Sequence, residues 1–179
     1  MKLYLVCGKA RHGKDTTAGF IQDYYAKNGK KACIMHIGNY IKHFAKDYFG
    51  WDGKEETKPR ELLQQLGTNI IREQMNKPYF FTNRLLEDME VLARFYDVCV
   101  VADVRLPLEI EEVKKHYPDV TIIHVERPNF ENELTEKQRN HVTETGLDHY
   151  DDYDYRLENT TLEYLQQQVE ELVRKEEVK

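Results

Sequence analysis

The residues closest to chemistry come early. Gly8-Lys9-Ala10-Arg11-His12-Gly13-Lys14-Asp15-Thr16 sets two glycines and a lysine in one short polar run. Glycines so placed let the backbone aim its N–H groups at one point, and the lysine adds a mobile positive charge. That combination binds phosphate groups. Gly8, Gly13 and the neighbouring amides form the cradle, Lys14 neutralises charge in it, and Arg11 and Thr17 belong to the same set. A Ser or Thr usually follows such a lysine and holds magnesium. Here Asp15 stands in that position with Thr16 next. A carboxylate also holds magnesium, directly or through water, so Asp15 and Thr16 are candidate ligands. Asp103, which ends the apolar run 97–103, is a second carboxylate of the kind that partners such an ion.

These residues need a strand before them and a helix after them. Lys2-Leu3-Tyr4-Leu5-Val6-Cys7 has the apolar, β-branched and aromatic content of a buried strand, and the run from Thr17 to Ala26 reads as a helix. Strand, glycine loop, lysine and helix are the context of a P-loop, whose helix N-terminus adds partial positive charge. The alternative is an ordinary glycine-rich turn between strand and helix.

Further along, Asn28-Gly29 stops the helix and 31–37 reads as a second strand. Strand-helix-strand order predicts a parallel sheet with right-handed crossovers. The next helix, 38–49, leaves the strand end where ligands of open α/β sheets bind. It carries Lys42, a candidate for an acceptor's phosphate and equally a solvated lysine. After the break at 50–53, Leu62, Leu63, Leu66, Ile70 and Ile71 recur at helical spacing within 59–75. Arg60 and Arg72 lie on that segment. Pro78 opens another helix with Leu85, Leu86, Met89, Leu92 and Tyr96 on its apolar face. The two helices, about 50–96, read as an insertion that clamps a substrate.

Strands follow at 97–103 and 120–125, with a helix from Leu106 toward Tyr117 between them. Arg105 follows the first, placed to meet a phosphate or to pair with Asp103. The polar stretch 127–141 reads as a solvated loop or as a lid, about 127–145, carrying Arg127 over the nucleotide and Arg139 against the transferring group. A fifth strand is expected at 153–157 and a final helix at 161–179. The chain reads as one α/β domain, 1–179, with three layers and a mostly parallel five-stranded sheet between helices.

Composition bounds the rest. With 26 basic and 32 acidic residues the net charge is −6, which argues against nucleic acid as the main ligand. Cys7, Cys33 and Cys99 each fall in an expected strand and read as buried, reduced thiols of a cytoplasmic protein. No apolar run reaches the ~20 residues of a membrane span, and no signal-peptide pattern precedes the glycine loop. The seven histidines show no transition-metal spacing.

Several segments together resemble the phage and bacterial deoxynucleoside monophosphate kinase family. They are the glycine loop with Asp15, Arg60-Glu61-Leu62-Leu63-Gln64-Gln65-Leu66-Gly67-Thr68 with Arg72, and Ala102-Asp103-Val104-Arg105-Leu106-Pro107-Leu108-Glu109. His141-Val142-Thr143-Glu144 and Asn159-Thr160-Thr161-Leu162 are similar to two shorter elements of it. Leu106 and Leu108 replace an aromatic residue and an asparagine of the family's pattern. The loop is also similar to that of animal phosphomevalonate kinases. The resemblance implies an adenylate-kinase-like P-loop fold, ATP and magnesium as donor, and a nucleotide-like monophosphate as acceptor. Lys14, Arg105 and Arg139 are then the expected catalytic residues, and Lys42, Arg60, Arg72 and Arg105 the expected acceptor cations. Other acceptors stay open, of dephospho-coenzyme A or phosphomevalonate type, as does an ATP-binding switch that transfers nothing. The assembly is left open to a homodimer.

Overall fold

The computed structural model describes residues 1–131 and 133–178. Asn132 of the expected lid and Lys179 of the final helix lie outside the described residues. Five strands, β1 (Lys2–Cys7), β2 (Ala32–Met35), β3 (Val98–Val104), β4 (Thr121–Glu126) and β5 (Tyr155–Glu158), form one sheet in the order β2-β3-β1-β4-β5. Every pairing is parallel, so the sheet is wholly rather than mostly parallel.

A parallel sheet needs cover on both faces, and its strands read as unbroken apolar runs. Successive side chains alternate between faces, and the two cores follow that rule. Leu3, Leu5, Cys7, Cys99 and Val101 pack with Leu85 and Met89 of α4 (Phe80–Leu92) and Ile110 and Val113 of α5 (Pro107–His116). Tyr4, Val6, Val98 and Val100 pack with Ala18 and Ile21 of α1 (Lys14–Lys27) and Leu165 and Val169 of α8 (Leu162–Val178). All three cysteines are buried and free. Among the described residues no helix is long and apolar enough to cross a membrane.

Three expectations about elements need correction. Helix α1 begins at Lys14, three residues before the expected start, because Gly13 in a left-handed conformation (φ 107°) ends the loop there. Lys14, Asp15 and Thr16 are therefore the first turn of a helix. Strand β2 spans only Ala32–Met35, leaving His36 and Ile37 as its exit. The segment expected as one α-helix over 59–75 is α3 (Arg60–Gln64) running into a π-helix (Gln65–Gln74). Its wider turn shows in the bond from Met75 N–H to the Ile70 carbonyl, 2.8 Å, and it buries Leu66 and Ile71 while Ile70 stays half-exposed. Such widened turns concentrate at functional sites.

Candidate active site

A cleft of about 450 Å³ opens where the chain leaves β1, β2 and β3. In open α/β sheets ligands bind at these carboxyl ends. The glycine loop forms one wall. Gly8 (φ 142°) lies so close to β4 that a Cβ there would stand 2.3 Å from the Val125 carbonyl oxygen, and one on Gly13 would stand 2.4 Å from Asn159 Nδ2. Arg11 also has a positive φ of 62°. The loop's path therefore depends on glycine at both positions. Lys14 is 6 % exposed and its Nζ donates to the Lys9 carbonyl at 2.7 Å. Burial and the nearby Arg105 guanidinium bring its pKa down to about 7. A buried cation with a depressed pKa, beside inward-facing amides, is a site that gains from an anion.

An anion of the protein already touches this loop. Glu144, on α7 (Val142–Thr145), accepts the Ala10 N–H at 2.9 Å and pairs with the Arg105 guanidinium. The arginine also donates to the Thr143 carbonyl at 3.2 Å. A carboxylate in hydrogen-bond contact with a loop amide shows that the cradle accepts oxygen anions, so phosphate groups fit the residues present.

On the metal side, Asp15 and Asp103 line the same cleft. The Asp15 carboxylate is held below the usual carboxylate range by a 2.7 Å hydrogen bond to His36 Nε2. That bond in turn pushes the His36 imidazole up. Asp103 accepts the Ile37 and Gly38 N–H groups at 2.7 and 2.8 Å, at the start of α2 (Gly38–Phe49). Strand β3 carries a register shift beside it, since Leu5 pairs with Val101 but Cys7 with Val104. Bulges of this kind re-aim side chains near active sites. Both carboxylates keep lone pairs that could accept water on an ion, which fits magnesium held mainly by phosphate and water. Among the described residues no three His, Cys, Asp or Glu side chains form a metal cluster. Thr16 is half-exposed on the first turn of α1 and lies outside the cleft lining. Thr17 is fully buried, and its hydroxyl donates back to the Gly13 carbonyl at 3.0 Å, so it ties the helix start rather than facing a ligand.

The cleft holds further cations. Lys42, Arg60, Arg72 and Arg105 all line the cleft. Three of the four are already paired with carboxylates. Arg72 donates to Glu109 Oε1 at 2.8 Å and lies over the Phe81 ring, 5.1 Å from its centroid. Arg105 is paired with Glu144 as described, not with Asp103, and Arg60 donates to Glu55 at 2.7 Å. A partly dry cleft stores like charges at high cost, and carboxylates in the wall relieve it. Glu109 is 2 % exposed and also accepts the Arg105 and Leu106 N–H groups at 2.9 and 3.1 Å. Burial pushes its carboxyl up, against the pull of Arg72. Seven basic and five acidic side chains line the cleft, the reverse of the chain's overall acidic balance.

Two expected arginines stand elsewhere. Arg127 is exposed and stacked on Phe130, its guanidinium 4.3 Å from the ring centroid, and its backbone N–H donates to His12 Nδ1 at 3.2 Å. It therefore lies beside the glycine loop but outside the cleft. Arg139 is exposed on α6 (Glu136–Arg139), and its neighbour Gln138 is the residue that lines the cleft. On a helix adjacent residues point about 100° apart, so one turn of α6 presents one of them. The segment around α6 and α7 is fastened across the cleft by Arg11–Glu133 at 2.7 Å and by Lys137–Glu61 at 3.9 Å. Sequence reasoning assigned no role to His36, Glu109 or Glu144. Glu109 had a signal, an acidic residue three places into a helix that opens with Pro107. Glu144 closes the His141-Val142-Thr143-Glu144 element noted above, and His36 is defined by its contact with Asp15.

A glycine loop at the end of the central strand and a wholly parallel sheet in this order define the fold shared by P-loop kinases. Solved structures share it at low identity. A sugar kinase from Janibacter sp. HTCC2649 aligns over 98% of this chain and 93% of that one, with TM-score 0.52 and 14% identity. APS kinase of Mycobacterium tuberculosis aligns over 98% and 97%, with TM-score 0.50 and 14% identity. The family model described as deoxynucleotide monophosphate kinase matches residues 36–169, and the chain belongs to that family. The deoxynucleotide monophosphate kinase of Escherichia phage RB69 is 30% identical over 116 residues, which are 64% of this chain and 44% of that protein. The chain thus spans less than half the length of this relative. The family match begins downstream of the glycine loop, so the donor side is argued from the loop's own geometry.

Proposed function

We propose that this chain transfers the terminal phosphoryl group of ATP to the phosphate of a (deoxy)nucleoside monophosphate, giving the diphosphate. The observation that carries the reading is one cleft with more cations than a single phosphate cradle needs, Lys14 of the glycine loop together with Lys42, Arg60, Arg72 and Arg105. A nucleotide switch needs a single anion pocket, whereas a kinase needs two. Family membership favours a nucleotide acceptor over dephospho-coenzyme A or phosphomevalonate.

In this reading the Gly8–Gly13 amides and Lys14 hold the donor phosphates, with Arg11 at their edge. Lys42 and Arg60, with Arg105, hold the acceptor phosphate in line with them. Positioning and charge neutralisation are what phosphoryl transfer needs from a protein. Magnesium, when bound, would neutralise the developing charge on the phosphates, and Asp15 and Asp103 would hold it directly or through water. The segment 127–145 is proposed as the lid. Its Glu144 ties Arg105 to the loop, so donor phosphates compete with that carboxylate for the Ala10 amide.

The test is a coupled assay of ADP formation across ribo- and deoxynucleoside monophosphates. At least one should be phosphorylated, and Lys14→Ala should lower kcat by about a thousandfold with an unchanged far-UV spectrum. ADP formation with no acceptor in the panel, or a loss of only a few-fold in Lys14→Ala, refutes the reading.

A further inference from the structure

One part of the cleft is left over once the phosphate cations are assigned. It is lined by α2, α3, the π-helix and α4, and its character differs from the charged walls. Ile41, Leu63 and Phe81 give it apolar sides. Gly67 opens onto it: a Cβ there would stand 3.2 Å from Ile41 Cδ1 and 3.9 Å from Phe81 Cε2. The absent side chain lets Ile41 and Phe81 close against the π-helix backbone on this wall.

Among the described residues seven buried side-chain polar atoms have no hydrogen-bond partner, and two of them, Thr68 Oγ1 and Arg72 Nε, belong to residues of this wall. Thr68 is 7 % exposed and lines the cleft. Buried hydroxyls in native proteins are almost always hydrogen-bonded, and one that is not destabilises the fold. Of the unpartnered hydroxyls, that of Thr68 is the one on a residue of the cleft wall, where a ligand can complete it. Flat apolar walls with a few fixed polar atoms suit a planar heteroaromatic ring. A sugar would need many more polar partners, and an isoprenoid chain would have no use for the hydroxyl.

We infer that Thr68 is a specificity-determining residue, its hydroxyl hydrogen-bonding the polar edge of the acceptor's base while Ile41, Leu63 and Phe81 enclose the ring. The inference rests on the kinase reading above and adds to it the residue that reads the base. A site built to hydrogen-bond a substrate group discriminates far more sharply than an apolar pocket of the same shape.

The test compares wild type, Thr68→Val and Thr68→Ser on dAMP, dCMP, dGMP and dTMP, with ATP saturating. Kinetics are paired with direct calorimetric binding of each monophosphate and with the melting temperature of the unliganded protein. Thr68→Val removes the hydroxyl at near-constant shape. It should cost the best acceptor about tenfold or more in kcat/KM, mainly through KM, and change the poorest acceptor less than about threefold. The ranking is thereby compressed. The KM for ATP should stay the same. The melting temperature should hold or rise, because the lost hydroxyl has no partner to leave behind. Thr68→Ser should keep the wild-type ranking. If wild type phosphorylates the panel and Thr68→Val keeps the full spread, the inference is overturned and the kinase reading stands. An equal loss on all four acceptors with a lower melting temperature also overturns it, since Thr68 then only packs. A wild type that neither binds nor phosphorylates any of the four overturns both.

Discussion

Lys14 offers a prediction in which binding and stability move in opposite directions with pH. Its ammonium is brought from 10.5 down to about 7 by burial first and by Arg105 second. Donor phosphates beside it restore the charged form, so above pH 7 nucleotide binding must take up a proton. At pH 8 a group of pKa about 7 is about nine-tenths neutral, and binding should take up about 0.9 proton. Between pH 7 and 9 the charged fraction of free Lys14 falls about fiftyfold, and affinity should fall with it, by about 2.3 kcal/mol. The nucleotide's own phosphate titrates near pH 6 and contributes little there. Stability of the unliganded protein runs the other way. In the unfolded chain Lys14 keeps its proton up to about 10.5, so between the two values the unfolded state binds more protons. Stability from this group then rises with pH, by at most about 1.4 kcal/mol per unit. His36 acts in the opposite sense. Its raised pKa adds stability at low pH that is lost as pH climbs through the folded value. Calorimetry with magnesium-ADP in buffers of different ionisation enthalpy measures the proton uptake directly. Lys14→Arg, which stays charged, should flatten the Lys14 part of the profile and leave that of His36. Affinity unchanged from pH 7 to 9, with no proton taken up at pH 8, would refute the argument.

Two further outcomes follow from carboxylates in the cleft wall. Asp103→Asn keeps at most one of the two bonds to the Ile37 and Gly38 amides and loses the charge at the start of α2. It should cost about 1 kcal/mol of stability and lower activity with magnesium at least about tenfold, while undiminished turnover in EDTA would exclude a metal role. Arg72→Ala strands the buried Glu109 carboxylate and should destabilise by about 3–5 kcal/mol in urea denaturation. The double variant Arg72→Met with Glu109→Gln should recover at least half of that, and a single-variant loss below about 1 kcal/mol would show that the pair is not a structural tie.

The architecture was legible in the sequence because its signals are local. The apolar run before Gly8, the glycines themselves and the strand that carries Asp103 need only neighbouring residues to be read, and they fix a parallel sheet with ligands at its carboxyl ends. The π-helix was not legible, because Leu62, Leu63, Leu66, Ile70 and Ile71 fit an α-helical stripe as well as a wider one. Only packing against the rest of the protein selects Ile71 over Ile70 for burial. That Gln138 and not Arg139 lines the cleft was not legible for a related reason, since composition alone does not say which residue of a single turn faces inward.

The acids of the site were the larger omission, and the reason is electrostatic. A search for phosphate binding looks for cations, and Lys14, Arg60, Arg72 and Arg105 were found that way. A cleft that must stay folded without its ligand cannot hold those cations alone, because in a partly dry site their mutual repulsion is weakly screened. It therefore keeps carboxylates of its own, Glu55 on Arg60, Glu109 on Arg72 and Glu144 on Arg105. The ties of Glu109 and Glu144 are contributed from 37 and 39 residues away, and the segments that carry these acids do not announce which arginine each one meets. Their burial separates their roles. Glu109 also takes two backbone amides and is fixed in the wall, so Arg72 stays tied whether or not a phosphate is present. Glu144 shares its carboxylate between Arg105 and the Ala10 amide, a donor that a phosphate oxygen would satisfy equally well. Of the two arginines, then, Arg105 is the one a ligand can free.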